Sequence, residues 1–185
     1  MGFVNLGLIT EDSGLFKSGF GFRVDWLTFN QIHQLNSRLQ TTKIVMKIFQ
    51  KEITLAAKPR GFHLITKEII LQCPFIAEIK TGMFSAFIKH TSASLSINEN
   101  ADPTVRGDLE RHFNKMVPEG KAYYKHKSEG PDDMPAHIKA ALLGNNIQVP
   151  ITSGELNLGT WQGIYICEHR DHGGERNLVI TAFGN

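Results

Sequence analysis

Ile147-Gln148-Val149-Pro150-Ile151, Glu155-Leu156-Asn157-Leu158, Gly163-Ile164-Tyr165-Ile166-Cys167-Glu168 and Arg176-Asn177-Leu178-Val179-Ile180-Thr181-Ala182-Phe183 follow one another at the C-terminal end of the chain, only a few residues apart. Each is a short apolar run of strand length bounded by turn residues. Ser153-Gly154 separates the first pair and Gly173-Gly174 the last, both strong turn signals. Several short strands separated by tight turns suit antiparallel pairing. The end of the chain therefore specifies a mostly antiparallel β-sheet.

Upstream of these strands lie two helices. Asp102 offers an N-cap, Pro103 suits the first helical position, and Val105, Leu109, Phe113 and Met116 recur at helical spacing, which predicts a helix from Pro103 to Met116. Gly107 costs roughly 1 kcal/mol in that helix and suggests a close approach there. A loop follows from Lys121 to Asp132. Asp132 and Asp133 complement the dipole of a second helix, about Met134 to Leu143, which Gly144 ends. Further upstream, Ile48–Leu55, Phe62–Thr66, Met83–Lys89 and Ser94–Asn98 read as strands, and Lys67–Leu71 as one helical turn. Antiparallel strands with two helical insertions make an α+β domain. Strand–helix alternation is too sparse for a doubly wound fold, and a (β/α)8 barrel needs about 250 residues. Residues 1–45, broken up by Gly2, Gly7, Gly14, Gly19 and Gly21, read as an extension that packs poorly, with the domain starting near Met46.

Composition excludes several function classes. Twenty basic against 18 acidic residues leave a net charge of +2 among 185 residues, too near balance to point to nucleic acid or an anionic membrane. No run approaches the about 18 apolar residues of a membrane span, and the N-terminus lacks the pattern of a secretory signal. Two cysteines, Cys73 and Cys167, cannot form a disulfide framework, so a reducing cytoplasm is the expected location. The chain contains no phosphate loop, dinucleotide fingerprint, H-E-x-x-H or nucleophile elbow.

Candidate chemistry gathers in mid-chain. His90-Thr91-Ser92 follows a buried strand, where an imidazole can ligate metal, move protons or simply cap a sheet edge. In Asn98-Glu99-Asn100-Ala101-Asp102 the helix cap accounts for Asp102 but not for Glu99. His126 and His137 are eleven residues apart with Asp132-Asp133 between them, and with His90 they can form a three-imidazole site with open positions, as catalytic zinc uses, with the carboxylates orienting the rings. Zinc is the simplest cation for such a set; manganese or nickel also suits it. Gly159-Thr160-Trp161-Gln162-Gly163 lets backbone approach a ligand on which Trp161 stacks, or else plants Trp161 in the core. Glu168, at the end of a buried strand, is a candidate general base or a salt-bridge partner. Arg106, Arg170 and Arg176 either hold phosphate or are solvated.

These residues carry a resemblance. Lys58-Pro59-Arg60-Gly61-Phe62-His63-Leu64-Ile65-Thr66, His90-Thr91-Ser92-Ala93-Ser94-Leu95, Asn98 through Arg106, Asp132 through Lys139 and Gly159-Thr160-Trp161-Gln162 resemble, in order and spacing, the YjbQ family, UPF0047, also labelled secondary thiamine-phosphate synthase. The resemblance runs from about Met46 to the C-terminus. It implies an α+β fold, a homotrimer and a pocket lined by the His90, Glu99, His137 and Trp161 segments. It also implies an activity joining hydroxymethylpyrimidine diphosphate and thiazole phosphate to give thiamine phosphate and pyrophosphate. Read onto this chain, His90, Glu99 and Glu168 are the catalytic candidates, and His90, His126 and His137 the metal ligands. Thr91, Ser92, Asn98, Asn100, Arg106, Lys127, Trp161 and Gln162 would bind a small-molecule substrate, with magnesium an option beside a diphosphate. The alternatives are a metal-dependent hydrolase and a non-catalytic trimeric binding protein; no reading calls for nucleic acid or a membrane.

Overall fold

A computed structural model describes residues 45–185; the expected N-terminal extension falls almost wholly outside them. The described elements are β1 (Lys47–Leu55), β2 (Gly61–Leu64), α1 (Thr66–Gln72), a short 3-10 helix (Pro74–Glu78), β3 (Thr81–Ile88), β4 (Ala93–Glu99), α2 (Pro103–Met116), α3 (Asp133–Leu143), β5 (Asn146–Thr152), β6 (Glu155–Leu156), β7 (Gln162–Glu168) and β8 (Arg176–Gly184). The strands form two sheets, one of five in the order β1-β8-β3-β5-β6 and one of three in the order β2-β7-β4. Every pairing is antiparallel, so the fold is α+β as expected. Of the consecutive C-terminal strands, however, only β5 and β6 pair with each other: β7 joins β2 and β4 in the smaller sheet while β8 joins β1 and β3 in the larger, so the turn at Gly173-Gly174 passes between sheets.

Side-chain alternation builds the layers. On β8, Leu178, Ile180 and Ala182 are buried, while the residues between them are not; on β5, Ile147, Val149 and Ile151 alternate with exposed neighbours. These inward faces meet Leu95, Ile164 and Ile166 of the three-stranded sheet, with Ile69 of α1, in one core. β7 is central and buried on both faces. Its other side chains, Tyr165 and Cys167, join Phe62 under a second cluster that Leu109 and Phe113 of α2 and Leu143 cover. At about 1.5–3 kcal/mol for each large apolar side chain buried, the intersheet core dominates stability, and the helices form an outer layer.

Local signals explain the ends of elements. Asp102 Oδ1 accepts from Thr104 N–H at 2.8 Å, capping α2, and that backbone bond holds the Asp102 carboxyl below its usual range. Ser153 and Gly154 both have positive φ, 53° and 83°, as a tight two-residue hairpin between β5 and β6 requires. No side chain of α2 is fully buried, so the predicted apolar face exists only as a narrow stripe, with Met116 half-exposed. Gly107 is not a close-approach point within the described chain: a Cβ there would meet only Arg111 of the same helix, at 3.1 Å. Among the described residues, no helix is long and apolar enough to cross a membrane.

Candidate metal centre

The first turn of α3 and the loop before it bring together the donors. Asp133 and His137 are four residues apart on α3 and so share a face, and His126 reaches them from the connection between α2 and α3. The three offer ligand atoms that all lie within 4.8 Å of one another. His126 Nε2 stands 2.8 Å from Asp133 Oδ2, and His137 Nε2 stands 3.5 Å from Asp133 Oδ1. His137 Nδ1 lies 3.0 Å from the Thr91 carbonyl. A carbonyl only accepts, so the proton is on Nδ1 and the Nε2 lone pair is free to ligate. Asp133 is buried, its side chain 1% exposed, yet Oδ2 has no hydrogen-bond partner among the described residues. The His126 nitrogen is close to that oxygen but not aligned to donate to it. An orphaned buried carboxylate oxygen is costly, and a shared cation is the partner that this donor set suits. Two imidazoles and one carboxylate leave open positions for water or substrate.

A second ring of contacts fixes the carboxylates. The Arg170 guanidinium donates to Asp133 Oδ1 through Nη1 and to Asp132 Oδ2 through Nε at 2.9 Å. Asp171 N–H also donates to Asp132 Oδ2 at 3.0 Å. Burial alone would raise the Asp132 carboxyl, but these hydrogen bonds and the Arg170 charge outweigh it and hold its pKa below the usual value. Arg170 is therefore neither solvated nor free for phosphate.

Two cavities flank the centre. One, of about 430 Å³, is lined by His137 together with His90, Thr91 and Asn145. The other, of about 260 Å³, is lined by His126 together with Lys121, Tyr124 and Lys127. His137 borders a recess walled largely by Ala93, Ala140, Ala141 and Gly144, and His126 borders one that holds two lysines.

A family model described as UPF0047 protein YjbQ-like matches residues 51–185. The chain belongs to the YjbQ family. Among YjbQ relatives, the UPF0047 protein YjbQ of Salmonella typhimurium is 53% identical over 136 residues, 74% of this chain and 98% of that protein. A UPF0047 protein of Archaeoglobus fulgidus is 34% identical over 131 residues, 71% of this chain and 98% of that one. A crystal structure of a YjbQ/UPF0047 family protein from Clostridium acetobutylicum superposes with a TM-score of 0.63 at 37% identity, covering 70% of this chain and 97% of that one. A YbjQ-like protein of unknown function from Sulfolobus solfataricus shares the fold, with a TM-score of 0.67 at 23% identity over 76% of this chain and 100% of its own.

Within this YjbQ domain the other expected site residues separate into three groups. His90 does not join His126 and His137. Its Nε2 accepts from Asn177 N–H at 2.9 Å and its Nδ1 faces Arg176 Nη1 at 3.2 Å; burial, then the Arg176 charge, lowers its pKa. The donor that clusters with His126 and His137 is Asp133, where the sequence reading places His90. Glu168 is fully buried and both its oxygens are used: Oε2 takes Arg176 Nε, and Oε1 takes Arg176 Nη2 and Arg170 N–H, at 2.7, 2.7 and 2.9 Å. Glu168 thus forms a buried ion pair with Arg176 in which both carboxylate oxygens are hydrogen-bonded. Ser92 Oγ accepts from Arg176 Nη2 at 3.4 Å, so Arg176 ties His90, Ser92 and Glu168 together.

Asn98, Glu99, Asn100, Trp161 and Gln162 lie at the far end of β4. Thr91 and His137 flank its start, while Glu99 is its last residue. Seven strand residues at about 3.4 Å each separate the two ends by roughly 20 Å. There, Asn98 Oδ1 accepts from Glu99 N–H at 2.8 Å, and Asn100 Nδ2 donates to the Gln162 carbonyl at 2.8 Å. Gln162 Oε1 accepts from Gly159 N–H at 2.8 Å, which closes the turn that carries Trp161. Trp161 itself is 65% exposed and so is not a core plug. Arg106 lies half-buried on α2 with Nη1 unpartnered among the described residues, and Lys127 lies in the basic recess. Within one chain the His137 and Trp161 segments do not line one pocket. Sequence reading also missed a third polar cluster. Lys139 is fully buried and donates to Asn114, which Arg60 and Glu110 share; burial, then the Arg60 charge, lowers its pKa. Beside it Ser94 Oγ meets His169 Nε2 at 2.8 Å, and burial pushes the Cys167 thiol up to about 12.

Proposed function

We propose that this protein is a metal-dependent enzyme acting on a phosphorylated small molecule, with a divalent cation held by His126, Asp133 and His137. The observation that carries this reading is the buried, unpartnered Asp133 Oδ2 set 2.8 Å from an imidazole nitrogen that does not donate to it. A divalent cation there supplies Lewis-acid polarisation of a phosphoryl oxygen. The chain's own residues supply the rest. Thr91 fixes the His137 tautomer, Arg170 sets the Asp133 carboxylate, and Lys121 and Lys127 line a recess suited to the negative charge of a phosphate or diphosphate. Zinc fits the two imidazoles, and magnesium would be a weaker fit to them than to a diphosphate oxygen.

The family's label makes the coupling of hydroxymethylpyrimidine diphosphate with thiazole phosphate the first reaction to assay. Substitution at the pyrimidine methylene carbon by the thiazole nitrogen would break the carbon–oxygen bond and release pyrophosphate, with the leaving group's charge met by the cation and the lysines. With water as acceptor in place of the thiazole, the same centre would be a hydrolase.

The test is metal content after chelation and reloading, followed by pyrophosphate release. One zinc per wild-type chain, with loss of zinc in Asp133→Asn and His137→Ala, is the expected result. Pyrophosphate release that needs both precursors identifies the coupling; release from the diphosphate alone identifies hydrolysis. Wild-type protein that takes up no divalent cation sinks the reading.

A further inference from the structure

We infer that the cation is also a clasp, which locks the connection between α2 and α3 onto the domain and thereby completes the basic recess. The inference rests on the metal centre proposed above and deepens it. The connection runs through residues 117–132, beyond the about 12–15 residues that structureless loops usually reach without a functional reason. Its two ends are held. Near the start, Glu119 pairs with Arg60; near the finish, Arg170 Nη2 donates to the Glu129 carbonyl at 2.8 Å. Between those points the backbone makes one internal hydrogen bond among the described residues, from Tyr124 N–H to the Lys121 carbonyl at 3.0 Å. The Tyr123 and Tyr124 rings meet edge to face, neither belongs to the described core clusters, and Tyr123 is 71% exposed. The contact that ties the middle of this stretch to α3 is His126, which faces Asp133 and whose ring lies 5.3 Å from that of His137.

That contact lacks hydrogen-bond alignment, so without a cation it holds the loop weakly. A cation bonded to His126 and to the α3 pair replaces it with a coordinate cross-link in the centre of the stretch. Every residue lining the basic recess belongs to this one connection. The recess therefore exists only while the connection is held in place, and Lys121 and Lys127 are presented to an anion only then. Metal first and anion second is the order of binding that follows.

Lysines 121, 125 and 127, all exposed in this stretch, make it readable by limited trypsin digestion of the full chain, with zinc uptake followed by calorimetry in parallel. Where cutting requires release of His126, added zinc slows it by a factor of about 1 + [Zn]/Kd, which is about 100-fold at 100 times Kd. The expected result is rapid cleavage within 121–127 in chelator, about 100-fold protection by zinc in the wild type, and cleavage at the metal-free rate in His126→Ala at the same zinc concentration. Zinc uptake without protection overturns the clasp and leaves the metal centre standing. Equal protection of His126→Ala also overturns the clasp, as does a wild-type loop already resistant in chelator. Absence of zinc uptake overturns both readings together.

Discussion

Lowering the pH from 7.5 to 5.0 protonates an ordinary histidine in an unfolded chain, where its pKa lies near 6.5. In the fold, burial, then the charges of Lys139, Arg60 and Arg176, pulls the pKa of His169 down to about 3. The unfolded state therefore takes up a proton that the native state refuses. Stability is whole above about pH 6.5 and falls as the pH drops from there toward 3. At 1.36 kcal/mol per unit, the interval from 6.5 to 5.0 is worth about 2 kcal/mol at pH 5.0. Any folded pKa below about 4 gives the same figure, since the native imidazole is neutral at pH 5.0 in every such case. Urea titrations at the two pH values, in chelator so that metal release does not enter, provide the assay. With a slope of about 2 kcal/mol per molar urea, the midpoint should fall by about 1 M from this residue. His169→Gln keeps a polar partner for the Ser94 hydroxyl and does not titrate. His90, whose pKa burial and Arg176 also lower, contributes in the same direction to both proteins and cancels in the comparison. The wild-type midpoint should therefore fall about 1 M further than the variant's. Equal falls in the two proteins, or an NMR titration of the His169 ring centred near 6.5, would refute the reasoning.

Glu168→Gln should destabilise by about 3–5 kcal/mol, because it strands the Arg176 guanidinium in a buried site; denaturant unfolding measures it, and a variant of wild-type stability would contradict that role for the ion pair. Gly82→Ala should cost at least the about 1–3 kcal/mol of an overpacked site, since its Cβ would fall 2.1 Å from the Phe183 carbonyl oxygen and 2.8 Å from Gly184 Cα, both backbone atoms; an unchanged melting temperature contradicts that packing. Arg170→Lys keeps the charge but loses the fork that spans Asp132 and Asp133. Zinc affinity by calorimetry should drop about 10–100-fold, and an unaltered affinity would mean that Arg170 does not set the Asp133 carboxylate.

The fold was largely legible because it is written in short-range patterns. Ile147, Val149 and Ile151 alternate with polar or exposed neighbours, the turns after β5 and β7 carry Gly154 and Gly174, and Asp102-Pro103 announces α2. The 3-10 helix at Pro74–Glu78 was not legible, since five residues carry no period. The centre was half legible. His126 and His137 stand out as titratable residues close in sequence. The sequence reads Asp133 as a helix-dipole partner and as a group that orients the imidazoles, and a carboxylate in the first turn of a helix serves those roles and ligation with the same atoms. His90 qualifies as an imidazole at the end of a buried strand; the Thr91 carbonyl beside it does meet His137, but the His90 ring itself meets Arg176 and Asn177. Trp161 and Glu99 share the family pattern with His137, yet motif order carries no distance, and β4 holds the two ends apart.

Glu168-His169-Arg170-Asp171 shows why stability and the centre are hard to change separately. These four consecutive side chains leave the end of β7 for different networks: Glu168 for Arg176, His169 for Ser94, Arg170 for Asp132 and Asp133, and Asp171 for Arg60. Their backbone is tied as well, since Arg170 N–H donates to Glu168 Oε1 and Asp171 N–H to Asp132 Oδ2. A buried ion pair contributes little net stability against an apolar replacement, but it penalises every arrangement that leaves one partner alone. Here that penalty fixes where β7 ends and which way Arg170 points. The Asp133 carboxylate is thus aimed by charges that lie in the core and not by its own helix. An apolar replacement of the Glu168–Arg176 pair could preserve the fold and still spoil the centre, because the anchor for Arg170 N–H would be gone.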